Sequence, residues 1–331
     1  MERTRSRNEA GFVVPYVLSV IMVVSLLTLW GANSLQVSQE TFMRIDQSRQ
    51  QQQAMDSVEA KFLEVFLGAT MVQNGLDISG REVDETAIAL GDPPSEEGLT
   101  PDDVWGATRG RRVIQWNGRP ITAFYQDSDG LLSLNSADLA YLAMWLKDAG
   151  YSDTESMAAK LGDYRDADNI RQFRGAERSD YRLLQRTLPS NSHLRSISEA
   201  NQILGWTSFT QQLGLSDVLQ LTLFFSGSIP RLAGAPEPLK ARLQLPSDGL
   251  KFLNQDDLND AELFMSRFPS SRAQLTLVED TGDGETMWVR IVEIERTGGA
   301  PDRAYTRRLV WEGRLANAVV QEALDLAQGT E

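Results

Sequence analysis

FVVPYVLSVIMVVSLLTLW, residues 12–30, is the stretch on which the reading of this chain turns. Its nineteen residues carry no charge. As a helix they reach about 28 Å, close to the roughly 30 Å of a bilayer's hydrocarbon core. Ahead of them lies the short polar stretch MERTRSRNEAG, with Arg3, Arg5 and Arg7. Basic residues on that side predict a cytoplasmic N-terminus and a single pass, with the bulk of the chain on the far side of the membrane. Three readings of the segment compete: a secretory signal cut after it, an uncleaved anchor, and a leader cut before it. The only small-residue site after it, near Gly31-Ala32, has bulky Trp30 at the third position before the cut, which suits signal cleavage poorly.

The third reading rests on Ala10-Gly11-Phe12. This junction resembles that of type IV prepilins, which are cut after a glycine, usually before Phe, and keep the apolar segment as a helix. The residues beyond Trp30 agree with it. Between Ala32 and Leu67 there is neither proline nor glycine. Leu35, Phe42, Ile45, Met55, Val58, Phe62 and Val65 recur mostly at spacings of three, four or seven, as one stripe of a helix does. The membrane helix is therefore expected to run on about 35 residues, with its far half packed on a globular head.

Further along, residues 75–110 are rich in Gly, Pro, Asp and Glu and read as a loop, most irregular at 92–98. Val113–Trp116 and Ile121–Tyr125 flank Asn117-Gly118, the signature of a hairpin with a tight type I′ turn. From about 131 to 268 the pattern is of short helices, expected over 136–149, 153–162, 178–187, 196–204, 208–213, 216–225, 236–243 and 256–266. Strands return over 273–279, 286–296 and 304–311, joined by turns at 282–284 and 298–302, and a last helix spans 315–328. Two isolated β units would bury little, so the hairpin and the three late strands are expected to share one sheet. The helical block is then an insertion in a discontinuous domain. It holds a weak internal echo: glycine, apolar residue, small-residue turn and helix appear at 129–146 and again at 226–243.

Composition narrows the function. The chain has 331 residues, a net charge of -14, no cysteine and one histidine. Disulfides, thiolate metal sites, cysteine nucleophiles and paired-imidazole sites are excluded. The acidic balance argues against nucleic-acid partners. His193 lies in a polar loop, and neither a P-loop nor a Rossmann fingerprint is present. A non-enzymatic role is expected.

The chain resembles the minor pseudopilin K (GspK) family of type II secretion systems. The resemblance is carried by Gly11-Phe12, by Asp127-Ser128-Asp129-Gly130-Leu131-Leu132-Ser133-Leu134-Asn135, by Leu161-Gly162-Asp163-Tyr164-Arg165-Asp166-Ala167-Asp168 with Gly175-Ala176-Glu177 and Tyr181, and by Leu194–Gly205. It covers residues 11 to 312. Tyr164 stands where the family usually has Trp, and Ala233 where a second Asn is usual. The helix after Trp311 lies outside the family pattern.

The resemblance implies an α+β fold: a pilin-like long N-terminal helix on an antiparallel sheet, with a large all-α insertion of two SAM-like subdomains. The divisions expected are leader 1–11, transmembrane helix 12–30, pilin-like part 31–130, helical subdomains 131–205 and 206–271, second pilin-like part 272–312 and tail 313–331. It implies a structural subunit at the pseudopilus tip, supporting pseudopilus assembly and protein export from the periplasm, anchored in the cell inner membrane. Prepilin peptidase would cut between Gly11 and Phe12 and methylate the new amine. The implied partners are the minor pseudopilins of I, J and H type, the major pseudopilin and secreted substrates. The resemblance also gives Tyr16 a meaning. Most pilins carry Glu at the fifth mature position, where it pairs a neighbour's N-terminal ammonium in the membrane. A neutral Tyr16 cannot do so, which suits a subunit with none before it. The alternative is a bitopic periplasmic binding or sensor protein with an uncleaved anchor.

No cofactor is implied by the composition, but two acidic clusters make calcium a candidate, because hard cations want several oxygens. One is Glu279, Asp280, Asp283 and Glu285 on a glycine-containing turn. The other is Asp163, Asp166 and Asp168, with Glu177 near in sequence. The competing reading of the second is helix capping and salt bridges to Arg165, Arg171 and Arg174.

Overall fold

A computed structural model describes residues 13–81, 96–207, 209–224, 227–245, 268–297 and 304–328. The expected cleavage junction Gly11-Phe12, residues 92–95, the helix expected over 256–266 and the turn over 298–302 lie outside the described residues. The chain divides into two compact units, Met1–Ala54 and Met55–Glu331. Each is described by itself.

The described part of the first unit is the front of one helix. Helix α1 runs without a break over Val13–Gly68. Pro15 is tolerated because the first helical N–H groups have no intrahelical acceptor. Ser19 and Thr28 donate their hydroxyls to Pro15 O and Val24 O one turn back, so their polar atoms are satisfied within the helix. The apolar side chains from Val14 to Trp30 are exposed along their length, as are Leu35, Phe42 and Ile45.

The second unit is built on a sheet of five strands: β4 Thr108–Trp116, β5 Arg119–Asp127, β8 Arg272–Asp280, β9 Thr286–Arg296 and β10 Tyr305–Ala316. Their order across the sheet is β10-β9-β8-β5-β4, all neighbours antiparallel. β4 and β5 form the expected hairpin, turning through Asn117 and Gly118, both at positive φ (48° and 79°). Glycine takes that conformation without a steric penalty. β5 pairs directly with β8, Ile121 opposite Glu279 and Asp127 opposite Ala273. The two β parts therefore share one sheet, and the residues between them form the insertion.

Period-two alternation gives the sheet two buried faces. On one, the last turns of α1 bury Met55, Val58, Phe62 and Phe66. Phe62 meets Tyr125 and Trp105 at ring-centroid distances of 5.6 and 5.1 Å, and Arg296 lies over Phe66. The stripe ends on Phe66, one residue past the expected Val65, which is only half-buried. Arg290, on the same face, is bonded to Asp56, Glu59 and Glu312, and Arg307 also reaches Glu59. On the opposite face Phe124, Val278, Val289 and Ile291 join the core of the insertion and the last helix, α8 Asn317–Gln328, through Val320 and Leu324.

The insertion carries α2 Leu139–Asp148, α3 Thr154–Arg165, α4 Arg178–Leu183, α5 Phe209–Gln212, α6 Leu215–Val218 and α7 Glu237–Arg242. Asp138 caps α2 by accepting from Ala140 N at 2.7 Å. The two echoing turns meet, with Arg231 N donating to Asp129 O at 2.6 Å.

Several expectations need correction. The insertion is not all-α: β6 Leu132–Ser133 and β7 Leu221–Thr222 pair in parallel, joining its first segment to its middle. Two-residue strands are too short to show a period in the sequence. For the same reason residues 75–110, expected as loop, contain β2 Gly75–Asp77 and β3 Val104–Gly106, which with β1 Met71–Val72 form a small sheet. Residues 197–202 form a 3-10 helix in place of an α-helix. Strand β10 runs to Ala316, passing a bulge at Val310 where the register shifts, so the last helix begins at Asn317.

Candidate functional site

Two features of the described residues ask for something outside the chain. The first is the front of α1. By length and composition it can cross a membrane, and none of its most apolar stretch is buried. Tyr16 lies there, exposed like its neighbours. Apolar surface on this scale is unfavourable in water and favourable in lipid or against another helix.

The second is a carboxylate cluster at the end of α3. Asp163 lies in its last turn, Asp166 comes directly after the helix, and Glu177 is the N-cap of α4. One carboxylate oxygen from each lies within 4.8 Å of the others. Asp163 is fully buried and accepts from Gln172 N at 3.2 Å. Glu177 is buried too, and its Oε2 accepts from Arg178 N at 3.2 Å. Glu177 Oε1 and Asp166 Oδ1 are buried with no hydrogen-bond partner among the described residues. Burial raises the pKa of all three above the ordinary carboxylate range, and the neighbouring carboxylates add to the effect. Gly175 makes room for the cluster, because a Cβ there would collide with the Asp163 carboxylate.

Of the arginines expected to neutralise this cluster, Arg165 acts on Asp166 by its charge, and the hydrogen bonds and ion pairs of all three go elsewhere. Arg165 donates to Leu134 O and Ala137 O at 3.0 and 2.7 Å. Arg171 pairs with Asp180, and Arg174 with Asp153 and Glu155. Asp168 accepts from Ile170 N at 2.7 Å, and Glu177 takes the third place in the trio. The clue in the sequence was its N-cap position before an apolar-polar helical run. Several hard oxygen donors, two of them orphaned, fit a hard divalent ion such as calcium, although the Arg165 charge offsets part of that on Asp166.

The turn cluster is arranged differently. Glu279 pairs with Arg119 across the sheet at 2.7 Å, and Asp280 accepts from Gly282 N at 2.8 Å. Asp283 accepts from the backbone N–H groups of Thr286 and Glu285 and from the Thr286 hydroxyl. These hydrogen bonds hold its carboxyl well below the usual range, the one from Thr286 N contributing most. Glu285 lends its carbonyl to Asn317 N. The side chains of Glu279, Asp280 and Asp283 thus serve separate ends.

His193 is exposed. A groove of about 680 Å³ runs between the insertion and the edge of the sheet, lined by Ile197, Leu213, Val218, Trp288 and Trp311 among others. Its titratable group, Glu312, is bonded to Arg290 and the Trp288 indole. That lining offers no nucleophile with a base beside it.

No protein-family model and no curated protein matches the chain. Among solved structures it is similar to a chain in the crystal structure of the GspK-GspI-GspJ complex from the enterotoxigenic Escherichia coli type 2 secretion system. Sequence identity is 16%, the match covers 82% of this chain and 98% of that one, and the TM-score is 0.43. The similarity is a distant one, and the α+β architecture described above rests on the hydrogen bonding of this chain itself.

Proposed function

We propose that the protein is a minor pseudopilin of type II secretion, a non-enzymatic subunit anchored in the inner membrane with its head in the periplasm. The observation that carries this reading is helix α1. Its first half offers a membrane-length apolar surface, and its last turns are the spine of an antiparallel sheet. One helix thus serves as anchor and as part of a domain core, which is the pilin plan. The motifs around Gly11-Phe12, Asp127–Asn135 and Asp163–Glu177 support the K-type member of that class. The exposed Leu35, Phe42 and Ile45 would pack on the helices of other minor pseudopilins and of the major pseudopilin. Prepilin peptidase would process the chain, and neutral Tyr16 would suit the tip, where no preceding subunit needs a counter-charge.

N-terminal sequencing of membrane-extracted protein tests the anchor reading. A start at Phe12, with a methylated amine, is expected. A start at Met1 would indicate a plain anchored binding or sensor protein, and one near Asn33 a cleaved signal.

Within the same reading, Asp163, Asp166 and Glu177 would hold a calcium ion, which would neutralise three clustered carboxylates and fix the loop over 166–176. Calcium is expected to raise the thermal midpoint of the full chain, and Asp166→Asn to remove the shift. A midpoint unmoved by millimolar calcium would end the metal assignment and leave the pseudopilin reading intact.

A further inference from the structure

The loop after α3 and the chain around α4 turn an unusual surface to solvent. Phe173 is 92% exposed, Leu183 83% and Ile170 75%, and Leu184 and Leu188 are exposed beside them. Scattered apolar residues on a surface are ordinary, but five strongly to partly exposed ones within nineteen residues are a local concentration. Their exposure is built in, since the backbone that carries them is tied down. Gln172 N donates to Asp163, Arg171 pairs with Asp180 of α4, and Arg174 pairs with Asp153 and Glu155. The Asn191 amide holds Asp168 O, which brings the far end of the segment back to the loop. Those bonds fasten the main chain inward and leave the apolar tips outward.

The charge of the same segment is opposite to that of the chain. Residues 169–188 contain five arginines against two acids, in a protein of net charge -14. Arg178, Arg182 and Arg186 are exposed and make no ion pair among the described residues. Arg178 and Arg182 are one helical turn apart, on one side of α4.

We propose that this face docks a second polypeptide whose surface joins acidic side chains to an apolar cleft. The composition selects that occupant. All five cations are arginine and none is lysine. A membrane's anionic surface attracts lysine and arginine about equally. Arginine, with its planar fork, is the choice for carboxylates held in fixed geometry. Protein interfaces are enriched in arginine and aromatic residues and depleted in lysine. Protruding tips such as Phe173 and Leu183 are the shape of anchors that fill a partner's pocket. The surface is independent of the fate of the membrane helix.

The test uses the full chain in the cells that produce it, with p-benzoylphenylalanine at position 173 as the photo-crosslinking probe. One adduct with a different, acidic polypeptide, identified by mass spectrometry, is expected. Arg182→Glu with Arg186→Glu should lower the adduct yield about tenfold, as loss of interface hot spots does, at an unchanged thermal midpoint. Should the double variant fail to fold, Leu183→Ser is read in its place and should lower the yield likewise. No adduct, adducts with lipid or with a second copy of this chain, or a yield indifferent to these substitutions would overturn the proposal.

Discussion

Glu293 is a carboxyl fully shut off from water, on the face of the sheet that meets the insertion. It accepts from Leu223 N at 3.0 Å, with Arg308 at 3.9 Å. Burial pushes its pKa up, against hydrogen bonds from Thr222 and Leu223 and the charge of Arg308. The folded protein therefore holds this proton more firmly than the unfolded chain. Its contribution to stability is present below the unfolded value of about 4.3 and is lost as pH rises through the folded one. Glu293→Gln keeps an acceptor for Leu223 N and removes the charge, while Arg308, stacked on Phe224 and partly exposed, can still reach water. The variant is expected to melt higher than the parent at pH 8 and to lose that advantage as the pH falls toward 4. Thermal unfolding across that range checks it. None of this was legible in the sequence, where Glu293 is one acid in a strand. The acidity of Asp163 and Asp166 was legible, but their convergence with Glu177 depends on a loop that folds back over the end of a helix.

At the scale of elements, α1 divides by what its residues touch. Phe62 is sealed between Trp105 and Tyr125, so Phe62→Ala should destabilise the head by about 3–5 kcal/mol, the usual loss for a buried aromatic. Phe42 is exposed, and Phe42→Ala should leave the thermal midpoint unchanged while weakening association with other helices. Chemical denaturation of the two variants side by side tests the division. The helix itself was legible because the absence of proline and glycine and the spacing of apolar residues are local signals. The hairpin was legible for the same reason: Asn117-Gly118 prefers the turn it forms. The pairs β6 with β7 and β2 with β3 were not, since strands of two or three residues exist only where distant backbone offers a partner. Their hydrogen bonds are properties of the assembled head.

For the whole molecule, the proposed place at a pseudopilus tip gives Tyr16 a role that can be tested in cells. Tyr16→Glu would put an acid where the neighbouring helix expects none, and an unpaired charge in lipid costs several kcal/mol. Secretion of exported protein into the medium is expected to fall. Wild-type secretion by that variant, with the subunit spread along the shaft, would remove the tip reading.

By itself the sequence determined the membrane-length apolar helix, its continuation toward the head, the hairpin and the order of helical and β regions. Those features arise from charge, spacing and turn chemistry within a few residues of one another. It also pointed to a single sheet, because two small ones could not bury enough. Only the tertiary structure decided that Ile121 stands opposite Glu279, that Arg290 is held by Asp56 and Glu312, and that three carboxylates converge at the end of one helix. It alone turned Phe173 and Leu183 outward. Each of these joins residues that are separated in sequence or sets a side chain's direction, and packing decides both.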